Sequence, residues 1–171
     1  MSRLPNSIQA KFPQEIQAVY QRVVDSESSL ATTFVSLFAN PQVGVGLANL
    51  QDVIDQTGLE PWVIFTVAMT VAHERNNQNL WESFEPLARE AGVSNAVIQG
   101  IAAGTAPRGL LPKEGIWVHF TKEVLQDKMR DSTWQATTHL AGDDGTVALA
   151  FTACYYDMMA RLNRTFGLES A

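Results

Sequence analysis

Apolar residues along the chain recur at three and four positions rather than alternating, which is the helical period. Behind Pro13, residues Ile16, Val19, Tyr20 and Val23 mark a first helix. A second starts near Ser29, with Leu30, Phe34, Leu37 and Phe38 on one face, and stops at Asn40-Pro41. A third covers about residues 43–56 and is closed by Gly58, a residue suited to a helix C-terminus, while Gly44 and Gly46 weaken its start. Pro61 fits the first turn of a fourth, residues 62–75, which is apolar almost all round and so belongs in the middle of the fold.

The polar run Asn76-Asn77-Gln78-Asn79 interrupts the pattern before an amphipathic segment at 80–90 that ends at Gly92. Ser94 fits the N-cap of a short helix through Ile98 and Ile101. A loop at 104–109, with Pro107 inside it and Pro112 closing it, precedes a long helix over about 113–128 that turns Trp117, Phe120, Val124 and Leu125 inward. Asp131 or Ser132 opens the next helix, through Trp134 and Leu140, and Asp143-Asp144-Gly145 forms a turn before the last, 146–166. No linker, repeat or low-complexity tract divides the chain. The pattern predicts an all-α single domain, residues 1–171, of eight or nine helices.

Charge narrows the partners. Twelve Lys and Arg stand against 18 Asp and Glu, a net −6. That balance argues against nucleic acid, which needs a basic stripe, and against an anionic membrane surface. The apolar stretch around residues 62–72 is too short to span a bilayer, and the first residues lack the apolar run of a signal peptide. Cys154 is the single cysteine, so neither an internal disulfide nor a Cys-x-x-Cys motif can form. A cytoplasmic protein is the expectation.

Three stretches together resemble the carboxymuconolactone decarboxylase family, which includes the AhpD-like alkylhydroperoxidases. The first is Phe84-Glu85-Pro86-Leu87-Ala88-Arg89-Glu90-Ala91-Gly92-Val93-Ser94. The second runs from Ile98 through Ala103-Gly104 to Leu111-Pro112-Lys113-Glu114 and on to Phe120-Thr121-Lys122-Glu123-Val124-Leu125. The third is Tyr155-Tyr156-Asp157-Met158-Met159-Ala160-Arg161-Leu162-Asn163, and Phe12-Pro13-Gln14-Glu15-Ile16 is similar to the opening of longer members. The resemblance implies an AhpD-like helical fold, assembly into trimers or hexamers, and a site beside the central helix and the helix after it.

In the peroxidase branch of that family a glutamate serves two cysteines in Cys-x-x-Cys spacing, with a histidine four residues beyond the second. Counting back from Glu85-Pro86-Leu87-Ala88, those positions hold Phe65, Asn77, Leu80 and Phe84. Trp81 alone survives from a variant with Glu-Trp at the second cysteine. A thiol peroxidase needs a thiolate and a resolving thiol, and neither is present there. The resemblance therefore leaves a cofactor-independent, lyase-type enzyme acting by proton transfer on a hydrophobic or cyclic organic acid, ketone or lactone. The alternative is a non-catalytic member that binds a ligand or serves assembly.

His73 is the candidate acid–base group, because imidazole exchanges protons near neutral pH. Phe65, Met69, His73 and Asn77 fall at four-residue steps and share a stripe if the helix continues that far. Glu74 is a weaker catalytic candidate, a quarter turn away. Phe65, Met69, Asn77, Leu80, Trp81 and Phe84 are the expected lining of a site for a small organic molecule. His73-Glu74 resembles the start of a His-Glu-x-x-His zinc motif, but Asn77 stands at the second histidine position, so no metal and no cofactor are expected. His119 and His139 read as surface groups, Cys154 as an inert core thiol, and Asp157 with Arg161 as an i,i+4 ion pair.

Overall fold

A computed structural model describes residues 3–4, 12–25, 30–104 and 112–168, apart from the side chains of 32, 112 and 113. Among these residues the structure is all-helical. The order is α1 (Gln14–Asp25), α2 (Ala31–Leu37), α3 (Pro41–Gln56), α4 (Pro61–Glu74), α5 (Gln78–Glu90), α6 (Asn95–Ala102), α7 (Pro112–Leu125) and α8 (Asp131–Phe166). None of the described helices is long and apolar enough to cross a membrane. The loop expected at 104–109 falls, beyond Gly104, outside the described residues.

α4 is the central element, packed by α5, α6, α7 and α8. Val63 and every residue from Thr66 to Ala72 are buried. Burying Thr66 and Thr70 leaves two hydroxyls without water, and each turns back onto its own helix: Thr66 Oγ1 donates to the Trp62 carbonyl and Thr70 Oγ1 to that of Thr66, both at 2.7 Å. Around this helix, α1, α2 and α3 form a second group, in which Tyr20 of α1 packs with Phe12 just before α1 and Phe38 just after α2, with ring centroids 5.1–6.0 Å apart.

Several boundaries differ from the pattern. Pro41 opens α3 instead of breaking α2, because the Asn40 side chain caps the helix by accepting from the Val43 N–H. Asn77 does the same for α5, which therefore starts two residues before Leu80. The last two predicted helices run on as one, with the break at Gly142 (φ 72°, ψ 176°), so that Asp143 and Asp144 enter the first turn of the second arm instead of forming a turn. In the first arm Thr133 and Thr137 are the buried residues, while Trp134 and Leu140 remain nearly half exposed.

Neither Asp131 nor Ser132 caps α8. Arg130 occupies that position with no side-chain cap, and the task falls to Glu123 on α7. Its carboxylate accepts from the Arg130 N–H at 2.9 Å, from Arg130 Nε at 2.6 Å and from Thr133 Oγ1 at 2.9 Å. Burial pushes the Glu123 pKa up, but the hydrogen bonds from Arg130 and Thr133 outweigh it, and the net shift is down. A carboxyl with a depressed folded-state pKa adds stability above its unfolded pKa and loses it as pH falls through the folded value. Glu123→Gln should therefore cost about 1–3 kcal/mol at neutral pH. Urea denaturation should show the gap between variant and parent closing as the pH falls below about 4.

The two glycines of α3 are not equivalent. A Cβ on Gly44 would lie 2.7–2.9 Å from three atoms of the Phe38 ring, whereas a Cβ on Gly46 would meet nothing within 4 Å. Gly44 is thus required for close packing, and Gly46 only weakens the helix. Chemical denaturation should find Gly44→Ala destabilised by about 1–3 kcal/mol and Gly46→Ala stabilised by about 0.5–1 kcal/mol.

Candidate functional site

Two recesses flank the α4–α5 pair, and they have no lining residue in common. The first is a cavity of about 290 Å³. Its walls are Val23, Leu30, Phe34, Ala48, Phe65, Phe84 and Leu87, and Tyr156 closes one side. The Tyr156 ring stands edge-on to Phe84 with centroids 5.4 Å apart. Polar groups gather at the cavity's edge: Arg22 from α1, and Gln51, Asp52 and Asp55 from α3. Arg22 Nη1 reaches both Asp52 oxygens, at 2.8 and 2.9 Å. Gln51 Nε2 donates to Asp55 Oδ1 at 3.3 Å. Burial, reinforced by the negative charge of Asp55, raises the Tyr156 pKa despite a hydrogen bond with Gln51. The phenol is therefore a hydrogen-bonding group, not a base.

The second recess, also about 290 Å³, is bounded by Ala72, His73, Asn76, Asn77, Gln78, Trp81 and Ala102. Here the imidazole of His73 meets Trp81 edge-on at 6.2 Å between centroids. Gly104 approaches from the other side, where a Cβ would lie 3.4 Å from His73 Nε2. Glu74 is held by Lys122 at 3.1 Å, and Lys122 Nζ also donates to the Gly104 carbonyl at 3.3 Å. Trp81 Nε1 donates to Glu85 Oε2 at 3.1 Å, and Glu85 also binds Arg89 at 2.7 Å. The hydrogen bonds from Arg89 and then Trp81 lower the Glu85 pKa.

The continuous stripe expected from Phe65 to Asn77 does not form. α4 ends at Glu74, and Asn76 takes a left-handed conformation (φ 49°). Asn77 consequently caps α5, and its amide is engaged at both its oxygen and its nitrogen. Oδ1 accepts from the Leu80 N–H at 3.1 Å, while Nδ2 donates to Asn163 Oδ1 at 3.3 Å. Asn163 Nδ2 in turn donates to Thr33 Oγ1 at 3.0 Å. This buried chain joins α2, the α4–α5 junction and α8.

The candidate residues accordingly divide. Phe65 and Phe84 face the first cavity, and His73, Asn77 and Trp81 border the second. Met69 and Leu80 are buried core residues that line neither. Tyr156, whose phenol the sequence offers either to a pocket or to the core, lies beside the first cavity, as does Phe34 from the inward face of α2; Arg22, Gln51 and Asp55 lie there without having been singled out by sequence. The signal available for them was weak: two acids near the end of α3, with no basic residue in its last turn.

Cys154 is exposed, not in the core. The inward face of that part of α8 is occupied by Ala153, Tyr156, Met159 and Ala160, which leaves Cys154 beside Leu50, Phe151 and Met158 at the surface. Desolvation and the charges of Asp157 and Asp127 push its thiol pKa up, away from the reactive thiolate. Asp157 pairs with Arg161 at 3.0 Å and also, across the fold, with Arg75 at 2.5 Å. His139 is exposed and His119 half-buried. Among the described residues no three His, Cys, Asp or Glu side chains are grouped to hold a metal ion. No family model, curated protein or solved structure matches the chain.

Proposed function

We propose that the protein binds a small, largely apolar organic molecule in the cavity between Phe34, Phe65, Phe84 and Tyr156. The observation that carries this reading is that Phe65 and Phe84 do not pack shut against each other's neighbours but border about 290 Å³ of open space. An apolar cavity of roughly 150 Å³ already accepts benzene. The combination of apolar walls and a few polar groups at one edge is the usual make-up of a small-molecule site.

Toluene is a suitable probe of that volume. Titration followed by NMR should shift resonances of Ala48, Phe84 and Leu87. Ala48→Met, which extends a buried wall residue into the cavity, should weaken binding at least tenfold. Unchanged spectra at millimolar toluene would reject the reading.

A second reading rests on His73 and its own recess. It is the proton-transfer enzyme implied by the resemblance to carboxymuconolactone decarboxylases, with His73 as acid or base and Trp81 as a wall. Glu74 has a lesser part in it, because Lys122 already engages its carboxylate. A molecule in the first cavity would not meet His73, so the two readings are separable. On this reading an unsaturated lactone carboxylate is turned over, and His73→Ala lowers the rate by about 10²–10⁴-fold. Absence of turnover, or a full-rate variant, would remove it. Assembly of several copies belongs to the same resemblance, and the exposed apolar side chains of Trp134, Leu140 and Val147 on α8 support it.

A further inference from the structure

The first cavity has a polar edge of one predominant sign, and that sign constrains its occupant. The charged side chains lining it are Arg22 on α1 and Asp52 and Asp55 on α3; α4, α5 and α8 contribute only Phe65, Phe84, Leu87 and Tyr156. Arg22 is already committed to Asp52, with Nη1 within 2.9 Å of both carboxylate oxygens. Asp55 forms no ion pair among the described residues, and its hydrogen-bond partner is the neutral amide of Gln51. Among the described residues one negative charge therefore remains uncompensated at the mouth of an apolar cavity.

Asp55 is also placed against its own helix. It is the penultimate residue of α3, where the unpaired carbonyls of the last turn make the local potential negative. A carboxylate is disfavoured there and a cation favoured. The Asp55 charge and the α3 dipole thus act in the same direction on whatever enters the mouth.

We infer that the occupant is a small organic cation, an ammonium group on a cyclic or aromatic hydrocarbon, with the ammonium at Asp55 and Gln51 and the ring against Phe65 and Phe84. This rests on the binding reading of the same cavity and goes beyond it by naming the ligand's charge. It also separates the cavity from an organic acid, whose carboxylate would face Asp55 while Arg22, the cation among the described lining residues, is already paired with Asp52.

The test compares four ligands with one ring and one small substituent: toluene, benzyl alcohol, benzylamine and benzoate, titrated at pH 7 into the full chain and into Asp55→Asn. Asp55 is exposed, so benzylamine should bind roughly two- to fivefold more tightly than benzyl alcohol, the range of a solvent-exposed ion pair, and benzoate more weakly than either. In D55N the preference for the amine should disappear while toluene and benzyl alcohol bind as before. D55N removes an unfavourable helix-end charge, so it should melt no lower than the parent, and loss of preference will not reflect unfolding. If toluene binds but benzylamine shows no advantage, or keeps its advantage in D55N, the inference fails and the cavity reading stands. If none of the four binds, the cavity reading fails and the inference with it.

Discussion

The structure depends on one requirement: α4 is apolar over almost all of its length, so its surroundings must cover most of it and still satisfy its end. The covering is done by α5, α6, α7 and α8. The end is harder, because the last carbonyls of a helix have no partners within it. Arg164 meets two of the polypeptide's carbonyls there, donating to those of Arg75 and Asn76 at 2.5 and 3.3 Å. Directly beyond, the chain from Asn77 through Asn163 to Thr33 replaces lost water with side-chain hydrogen bonds, in a place where an unpaired polar group would cost about 1–3 kcal/mol. The reversal between α4 and α5 is therefore held twice, by local backbone bonds from the N–H groups of Arg75, Asn76 and Asn77 to the carbonyls of Val71, His73 and Ala72, and by residues that lie far away in sequence.

That reversal also determines the arrangement of the candidate chemistry. Because the chain turns left-handed at Asn76, the side chains before and after it do not continue one stripe. His73 and Trp81 are brought together across the turn, while Phe65 and Phe84 meet a different set of neighbours on α1, α2, α3 and α8. Two recesses of similar size result, one with polar walls and an imidazole, the other with hydrocarbon walls and carboxylates at the edge. A single pocket uniting all these residues would need α4 to run on past Asn77.

Much of the fold was legible in the sequence because local chemistry governed it. The burial of α4 follows from its nearly continuous apolar run, and Ser94 caps α6 by accepting from the Val97 N–H, as its place before an apolar helical segment implies. The failures share a different origin. Asn77 reads as part of a polar loop until Asn163 is seen beside it, 86 residues later. Glu123 looks like an exposed helix acid, yet it caps the neighbouring helix, a role invisible without the α7–α8 packing. The first cavity was half visible: Phe65 and Phe84 stood out by alignment with the family pattern, but Arg22, Asp55 and Tyr156 come from three other helices. Periodicity tells which face is apolar, not which faces leave a gap between them.

Gly142 gives the longest helix a property of its own. Its backbone lies where essentially only glycine is found (φ 72°, ψ 176°), so the angle between the two arms of α8 is set by a residue that tolerates no side chain. The first arm carries Thr133, gripped by Glu123, and Trp134, laid against Phe120; the second carries Tyr156 and Asn163. One glycine thus relates the clasp on α7 to the wall of the first cavity, and a side chain at that position would force one arm to re-aim against the other.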